Sequence, residues 1–339
     1  MNEFFFETGL EIVLFFQRTF GEWVATPSRI ISFIGDEEFF LLVLPLIYWS
    51  VHSALGLRIG FMLLLSNGVN GIFKLVFSTP RPFFYSTEVQ PLTFETSFGI
   101  PSGHAQNAAA VWGVVAAFFN KTWGWILLVS LIILIGLSRL SLGVHFPIDV
   151  LAGWAVGFAL LWLVIRLEKP VLSWLKNLPL TMRLITAFLA SLIIIFFGLF
   201  ARSLAIDEIP ATWIANAAQA FPDEAPINPL RLDGIFTSAG TLFGLASGAI
   251  LLQAYSGFEV SGPWWKRLAR YPIGMIGVIL LYFGLSEVFP RGDDTLAYSL
   301  RYLRYFLVGI WVAAGAPLTF FFLRLASPRP AQEDIQTIN

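Results

Sequence analysis

Two of the three histidines in this chain of 339 residues lie in short polar segments beside long apolar runs. His104 ends the segment Pro-Ser-Gly-His, and His145 is followed four residues later by Asp149. At this spacing a carboxylate can accept a hydrogen bond from one ring nitrogen, which fixes the tautomer and leaves the other nitrogen free as a nucleophile. The alternative is that Asp149 only complements a helix dipole. Together the two histidines offer a nucleophile and an acid.

Three basic residues accompany these histidines in the sequence. Lys74 and Arg81 are seven residues apart, about two helical turns, so they lie near one face of a helix. Arg139 precedes His145 by six residues. Cations beside apolar segments are costly, and two arginine forks with a lysine suit the oxygens of a phosphoryl group. Snorkelling of the side chains at the end of an apolar segment is the alternative for Lys74 and Arg81.

Ser102 and Gly103 predict the start of a helix in front of His104. A serine at this position caps a helix, and a glycine lets the backbone approach a ligand closely. The free N–H groups of a helix start bind phosphate oxygens. An ordinary N-cap next to an unrelated histidine is the alternative.

The composition places these motifs in a membrane. Hydrophobic residues make up 57% of the chain and charged residues only 13%, with a mean hydropathy of +0.74. Soluble domains are about a quarter charged, so the composition excludes a soluble enzyme, a disordered chain and a nucleic-acid binder. The chain contains no cysteine, which excludes disulfides, zinc–thiolate sites and thiol catalysis.

Apolar runs of roughly bilayer-spanning length predict an all-α integral membrane protein with about nine transmembrane helices. Residues 1–38, which we expect to contain no secretory signal, predict an interfacial helix and a loop. The polar tail 327–339 is expected to be disordered. The nine predicted spans lie near residues 39–56, 57–79, 104–120, 123–141, 147–166, 183–205, 236–256, 271–289 and 303–325.

An alternating count of these spans puts all three motifs on one side of the membrane. The loops of the opposite side carry more lysine and arginine, which predicts that this opposite side is cytoplasmic. We therefore expect a bacterial inner (plasma) membrane protein whose site faces the periplasm or the outside, or the lumen of an organelle.

Together the motifs resemble the signature of the type 2 phosphatidic acid phosphatase (PAP2) superfamily. The resemblance covers K-x6-RP from Lys74, the PSGH segment at 101–104 and SR-x5-H-x3-D, which ends at Asp149. It implies a metal-independent phosphatase fold without a cofactor, with the catalytic core in residues 39–167. It also implies that His145 attacks phosphorus, that Asp149 orients His145, and that His104 protonates the leaving group. The phosphate oxygens would be held by Lys74, Arg81, Ser102, Gly103 and Arg139.

A second resemblance, to glucose-6-phosphatases, extends over more of the chain. It rests on the segments 31–36, 95–96 and 240–245 and on the nine-span layout. On this view residues 168–326 are additional transmembrane helices that complete the bundle and could provide a homodimer surface. The acidic pairs, among them Asp36-Glu37, are interpreted as solvated loop charge rather than as metal ligands.

The sequence thus predicts a membrane phosphatase that acts on a phosphomonoester through a phosphohistidine. Its expected partners are membrane lipids and its substrate. A lipid phosphate or a polyprenyl diphosphate is the first expectation, and a sugar phosphate is the alternative. Transfer of the phosphoryl group to an acceptor other than water is a further alternative. Transport is disfavoured because the last four spans carry few charges away from their ends.

Overall fold

The structure, a computed structural model, describes residues 3–328. Its regular structure is helical, apart from one isolated bridge between Phe258 and Pro328, so the predicted all-α fold is confirmed. The tail predicted to be disordered falls mostly outside the described residues. The helices are α1 Glu3–Phe33, α2 Glu37–Leu46, α3 Ser53–Phe77, α4 Pro82–Tyr85, α5 Gly103–Asn107, α6 Gly113–Phe119, α7 Thr122–Ser141, α8 Pro147–Lys176, α9 Leu180–Leu204, α10 Ala211–Ala220, α11 Asp233–Tyr255, α12 Trp264–Val288, α13 Thr295–Ile310 and α14 Ala316–Phe322, with π-helical turns at Ile47–Val51, Ala108–Trp112 and Trp311–Gly315.

Seven helical stretches of the described chain are long and apolar enough to cross a membrane. All seven coincide with predicted spans. The predicted count of nine is not confirmed, because the other two predicted spans fall on shorter helical stretches. One runs from α2 to the π-turn that ends at Val51, and the other from α5 to α6, where Asn120 adopts a left-handed conformation (φ 45°) that ends the helix. Both are shorter than the roughly 20 residues that a span needs.

The described chain forms two compact units. Unit 1 contains the residues up to Leu41, Leu65–Lys169 and Ile194–Ile235, and unit 2 contains Leu42–Leu64, Pro170–Ile193 and the residues from Phe236 onward. All eight candidate site residues lie in unit 1. The units interleave along the chain, whereas the predicted domains follow one another, and the predicted boundaries stay predictions.

Close packing of α8 against α5 shapes the centre of unit 1. A Cβ on Gly157 would lie 2.4 Å from the carbonyl oxygen of Gln106, and a Cβ on Gly153 would lie 2.6 Å from that of Ser102. Real side chains do not tolerate these distances, so only glycine allows the two helices to touch. The contact brings the start of α8 next to the segment that contains Ser102, and the backbone N–H of Ser102 donates to the carbonyl oxygen of Asp149 at 2.9 Å.

Two helices of unit 1 surround this centre. Helix α1 packs along α7 and buries Phe6 and Val13 in a cluster with Phe146. Its predicted interfacial position stays a prediction. Helix α10 lies between the predicted spans 183–205 and 236–256, where the sequence analysis placed no helix. It packs against α4, and the amide of Asn216 donates to the carbonyl oxygen of Phe84 at 2.9 Å.

The core of unit 2 joins two of the π-turns. Tyr48 donates from its hydroxyl to the carbonyl oxygen of Ala313 at 2.8 Å, and Trp49 donates from its indole to that of Val312 at 2.9 Å. A π-turn interrupts the regular hydrogen-bond ladder of a helix. The buried aromatic side chains thus satisfy backbone groups within the π-turn Trp311–Gly315.

Candidate active site

The candidate site is assembled from helix ends in unit 1. Lys74 lies in the last turn of α3 and Arg139 in the last turn of α7. Ser102 is the N-cap of α5, and its buried hydroxyl lies 3.5 Å from the N–H of Ala105. As an acceptor there, the hydroxyl keeps its own proton for a ligand. Gly103 begins α5, where a Cβ would lie 3.3 Å from the amide oxygen of Asn70.

His145 and Asp149 form a buried pair at the start of α8. The carboxylate oxygen Oδ2 of Asp149 lies 3.0 Å from Nδ1 of His145 and accepts from the N–H of Phe146 at 2.9 Å. Nε2 of His145 lies 3.1 Å from Nη1 of Arg81. Arginine can only donate, so Nε2 is an acceptor and the ring proton is assigned to Nδ1.

The surroundings of His145 favour its neutral form. Burial lowers its pKa well below the usual value, and the positive charges of Arg81 and Lys74 lower it further. His145 therefore carries an unprotonated Nε2 at neutral pH, which is the state that a nucleophile requires.

The segment 95–98 holds two of the cations in place. Nζ of Lys74 donates to the hydroxyl of Ser97 at 3.0 Å and also to the carbonyl oxygen of Phe98. Arg81 is 1% exposed, and it donates to the carbonyl oxygen of Ser97 at 2.6 Å and to its hydroxyl at 2.9 Å. Its Nη1 also donates to the carbonyl oxygen of Val144 at 3.0 Å.

Glu95 bridges the two arginines of the site. Its carboxylate accepts from Nη2 of Arg81 at 3.1 Å and from Nη2 of Arg139. Arg139 also donates to the hydroxyl of Ser32 at 2.6 Å. Burial alone would raise the pKa of Glu95, but the two guanidinium groups hold it below its usual range. Glu95 therefore remains charged and neutralises part of the cationic cluster. Sequence analysis used Glu95 only in the resemblance to glucose-6-phosphatases and did not predict its contacts with the two arginines.

His104 has a carboxylate partner that sequence analysis missed. Its Nε2 is bonded to Oδ1 of Asp36, which lies in the turn between α1 and α2. A Cβ on Gly35 would lie 3.4 Å from the imidazole ring, so the turn lies directly against the histidine. The interpretation of Asp36 as solvated loop charge is wrong. Burial and the nearby Arg139 lower the pKa of His104, and the bond to Asp36 opposes this shift.

A chain of polar side chains supports the segment that contains His104. The amide of Asn70 donates to the carbonyl oxygen of Pro101 at 3.2 Å and to Gln106 at 2.9 Å. Ser66 bonds both Gln106 and Asn107, and Asn107 donates to Asn67 at 2.8 Å. These residues of α3 and α5 are mostly buried, and their mutual bonds fix the register between the two helices. In sequence they read as isolated polar residues in apolar runs.

Within residues 3–328, no group of three or more histidine, aspartate or glutamate side chains could hold a metal ion. The prediction of a metal-free site stays a prediction. The structure does bring the eight predicted residues into one region: two histidines and an aspartate, three cations, and the Ser102–Gly103 helix start.

Buried cations around a histidine–aspartate pair, carried on membrane-spanning helices, define an integral membrane phosphatase. The comparisons with known proteins agree. Residues 55–172 match the PAP2 superfamily, and residues 236–328 match the PAP2 superfamily phosphatase, transmembrane extension. The chain belongs to the PAP2 superfamily and is a phosphoric monoester hydrolase of this type.

Two kinds of relatives are similar to this chain. Phosphatidylglycerophosphatase B of Bacillus subtilis is 32% identical over 162 residues, which cover 44% of this chain and 77% of that protein. Human glucose-6-phosphatase 2 is 24% identical over 366 aligned positions, which cover 97% of this chain and all of that protein. The crystal structure of a PAP2-type phosphatidylglycerolphosphate phosphatase from Bacillus subtilis is 26% identical, with a TM-score of 0.43, and covers 49% of this chain and 86% of that one.

We predict that Glu95→Gln lowers the free energy of unfolding at pH 7 by about 2 kcal/mol, since two buried guanidinium groups lose their counter-charge. The pKa of Glu95 is lower in the folded chain than its ordinary value of 4.5. The charged carboxylate of Glu95 therefore stabilises the folded chain fully above its ordinary pKa of 4.5. This stabilisation is lost as the pH falls through the lower pKa that Glu95 has in the folded chain. The deficit of the variant should shrink below about pH 4. Thermal unfolding of the variant and the parent protein in detergent at pH 7 and pH 4 measures this deficit.

Glu88→Gln is the matched control, because Glu88 is 62% exposed and pairs with Arg18 at the surface at 3.3 Å. This variant should change the unfolding temperature little at either pH. An equal deficit for Glu95→Gln at pH 7 and pH 4 would contradict the assignment of a charged Glu95.

Proposed function

We propose that this phosphatase hydrolyses a phosphomonoester through a phosphohistidine on His145. The observation that carries the proposal is the pair of contacts on this ring. Asp149 accepts a hydrogen bond from the protonated Nδ1, and Arg81 lies 3.1 Å from the unprotonated Nε2. A neutral imidazole with a free nitrogen beside a phosphate-binding guanidinium is arranged for attack on phosphorus.

In the first step Nε2 of His145 forms a bond to phosphorus while the bond from phosphorus to the ester oxygen breaks. The imidazole becomes positively charged, and the buried carboxylate of Asp149 stabilises this charge. The departing alkoxide takes a proton from His104. In the second step His104 takes a proton from water, the resulting hydroxide attacks phosphorus, and the bond between phosphorus and Nε2 breaks. Phosphate leaves, and both histidines return to their starting states.

Asp36 positions His104 for this work. The carboxylate of Asp36 is hydrogen-bonded to Nε2 of His104. Nδ1 is therefore the nitrogen that exchanges a proton with the leaving group and with water. A carboxylate on the opposite nitrogen raises the basicity of an imidazole. This matters because burial and Arg139 act in the other direction on its pKa.

The equatorial oxygens of the phosphoryl group are held by the cations and by the helix start. Lys74, Arg81 and Arg139 supply charge, and Ser102 and Gly103 supply a hydroxyl and a backbone N–H. Glu95 now holds the two guanidinium groups where these oxygens would bind. The substrate displaces this carboxylate from at least one arginine, so Glu95 prevents the empty site from being an uncompensated cluster of positive charge.

A lipid phosphate is the first substrate class that we propose. It is supported by the relative with the highest identity reported above, phosphatidylglycerophosphatase B, which aligns with 77% of its length. A membrane-embedded catalytic unit also suits a substrate whose tail stays in the bilayer.

A sugar phosphate is the second candidate, and a specific observation favours it. Human glucose-6-phosphatase 2 aligns with 97% of the chain, including the transmembrane extension. Asp36 also lies on the His104 side of the site, where a carboxylate can accept hydrogen bonds from the hydroxyl groups of a polyol.

We infer that the site faces away from the cytoplasm of a bacterial plasma membrane. Helix α8 begins at the site with Asp149, and its far half carries Arg166, Lys169 and Lys176. Basic residues favour the cytoplasmic side. Helices α3 and α7 both end at the site, so residues 103–119 lead from the site to the start of α7. At 1.5 Å per residue this stretch is about 25 Å long, and we propose that it crosses the membrane despite its short length.

The first test is phosphate release by the purified protein in detergent with EDTA present. The panel contains phosphatidylglycerol phosphate, phosphatidic acid, undecaprenyl diphosphate and glucose 6-phosphate. We expect release from a phosphomonoester that survives EDTA, and we expect His145→Ala to reduce the rate at least about 10³-fold because no nucleophile remains. The preferred member of the panel chooses between the two substrate classes. Release that EDTA abolishes, or that His145→Ala retains, contradicts the mechanism.

A second prediction concerns the pH profile of Asp36→Asn. Removal of the carboxylate lowers the pKa of His104, because the hydrogen bond and the charge of Asp36 both raise it. Protonated His104 is then lost at a lower pH, so the falling limb of the kcat profile should move to lower pH. Asp36→Glu should restore most of the profile. The exposed Asp207→Asn is the control. A profile that is unchanged in Asp36→Asn would show that His104 does not depend on this carboxylate.

A third prediction concerns the sides of the membrane, and the absence of cysteine makes it accessible to single-cysteine labelling. Thr87 and Thr122 are exposed residues before and after residues 103–119. An impermeant maleimide added to intact cells should label Thr87→Cys but label Thr122→Cys only after lysis. Labelling of both from outside would refute the crossing, and the reversed pattern would refute the orientation.

A further inference from the structure

The first half of α1, residues 4–20, has three different faces. It is a helical segment of its own, because Gly21 adopts a non-helical conformation (φ 49°, ψ −142°) that separates it from the second half. One face is buried in unit 1 and carries Phe6, Gly9 and Val13. These residues follow a spacing of three and four, which places them on one side of a helix. This face is the one that joins the segment to the rest of unit 1.

The second face of this segment is apolar and exposed. Phe5, Ile12 and Phe15 are 49%, 37% and 59% exposed. At 3.6 residues per turn these three side chains lie within about 80° of one another around the helix axis. They therefore form one continuous apolar stripe that packs on nothing in the described chain.

The third face of the segment is charged. Glu7, Glu11 and Arg18 are exposed, and they lie within about 40° of one another around the helix axis. Arg18 pairs at the surface with Glu88 of the loop 86–92 at 3.3 Å. The charged stripe is turned about 100° away from the apolar one, so the two stripes meet different surroundings.

The surface of a bilayer fits all three faces at once. A helix that crossed the bilayer would carry the charged stripe through hydrocarbon, which is costly. A helix surrounded by water would leave the apolar stripe in contact with water. Helix α1 is not among the seven membrane-spanning stretches, and two of those stretches, at α7 and α8, belong largely to unit 1. Lipid therefore borders the same unit.

The buried face of the segment touches the residue next to the nucleophile. The ring centroids of Phe6 and Phe146 are 5.4 Å apart, and a Cβ on Gly9 would lie 2.8 Å from Cδ1 of Phe146. The N–H of Phe146 donates to the carboxylate of Asp149 at 2.9 Å. One side chain thus separates the helix from the pair of His145 and Asp149.

The same segment also holds the loop 86–92. The side-chain amide of Gln17 donates to the carbonyl oxygen of Gln90 at 2.7 Å and accepts from its N–H at 3.2 Å. The N–H of Leu92 donates to the carbonyl oxygen of Leu142 at 3.0 Å, three residues before His145. The helix is therefore connected to the chain on both sides of the nucleophile.

We propose that residues 4–20 dock on the bilayer surface and that this docking holds Phe146 and the loop 86–92 in place for the reaction. The apolar stripe lies among the lipid chains, and the charged stripe lies in water. The sequence predicted an interfacial helix, and the contact with Phe146 makes this helix part of the catalytic unit. The docking is independent of the phosphohistidine chemistry, whereas its effect on the rate rests on the proposed function.

The docking is tested with spin labels on the full chain in phosphatidylcholine vesicles, since the absence of cysteine allows single labelling sites. Ile12→Cys and Phe15→Cys report on the apolar stripe, and Glu7→Cys and Glu11→Cys report on the charged one. We expect oxygen, which concentrates in hydrocarbon, to relax the first two labels, and a water-soluble nickel chelate to relax the other two. This measurement does not require an active enzyme.

The effect on the rate is tested with the water-soluble ester para-nitrophenyl phosphate, which does not partition into lipid. The kcat is compared between vesicles and an amphipathic polymer, which covers the spans but offers no planar lipid surface. We expect the parent protein to be roughly tenfold faster in vesicles, and Phe15→Ser to bring this ratio close to one, because docking loses the burial of an aromatic side chain. A purely structural defect would lower both rates and leave their ratio unchanged.

Glu11→Gln is the matched control, because it changes the charged stripe and keeps it polar. It should retain the ratio of the parent protein. Ile12→Ser provides a second variant of the apolar stripe if Phe15→Ser fails to fold.

Each contrary result overturns a defined part of the proposal. Four labels that are all relaxed by the nickel chelate would place the segment in water, and four that are all relaxed by oxygen would place it across the bilayer. Labels at Ile12→Cys and Phe15→Cys that neither reagent reaches would mean that a second protein surface covers the stripe. A ratio of rates close to one in the parent protein, or an unchanged ratio in Phe15→Ser, would refute the coupling to the reaction. Absence of any phosphatase activity would refute the proposed function and leave the labelling result standing.

Discussion

Positive charge buried among helices that cross a bilayer is the constraint on which unit 1 depends. Lys74, Arg81 and Arg139 are each at most 8% exposed, and three unpaired cations there would destabilise the fold. Glu95 accepts hydrogen bonds from both arginines, and backbone carbonyl groups of the segment 95–98 accept from Lys74 and Arg81. An irregular loop is thus stable next to the bundle because cations satisfy its carbonyl groups, and the cations remain because the loop surrounds them.

The same need to balance buried charge distinguishes the surroundings of the two histidines. Each has a carboxylate on one nitrogen, but on opposite atoms: Asp149 on Nδ1 of His145 and Asp36 on Nε2 of His104. The first carboxylate comes from the same helix four residues on, and the second from a turn 68 residues away in sequence. This difference explains why one pair was visible in the sequence and the other was not.

Local spacing and apolar length carried the correct part of the sequence prediction. Seven membrane-spanning stretches and the helix start at Ser102 follow from hydropathy, proline and capping, which act over a few residues. The contacts that sequence analysis missed join distant residues, as Glu95 does with Arg139. Helix α10 was missed because its apolar face is too short to be recognised in the sequence, and the helix is stabilised by packing against α4. The count of nine spans was not confirmed because the helical stretches at α2 and at α5–α6 are shorter than a membrane span. The hydropathy of the sequence alone does not show where a helix ends.

A backbone hydrogen bond joins Ser102 to Asp149, next to the glycine contacts between α8 and α5. These contacts limit how the substrate specificity of such an enzyme can change. His104 lies on α5 and His145 lies two residues before α8, and these two helices touch without intervening side chains, so we expect that neither histidine can shift without the other. The reacting centre therefore behaves as one rigid part, with no slack to accommodate a new substrate. Changes of specificity must come from the loop near Glu95, from the turn at Asp36 and from the outer helices, while the chemistry stays the same.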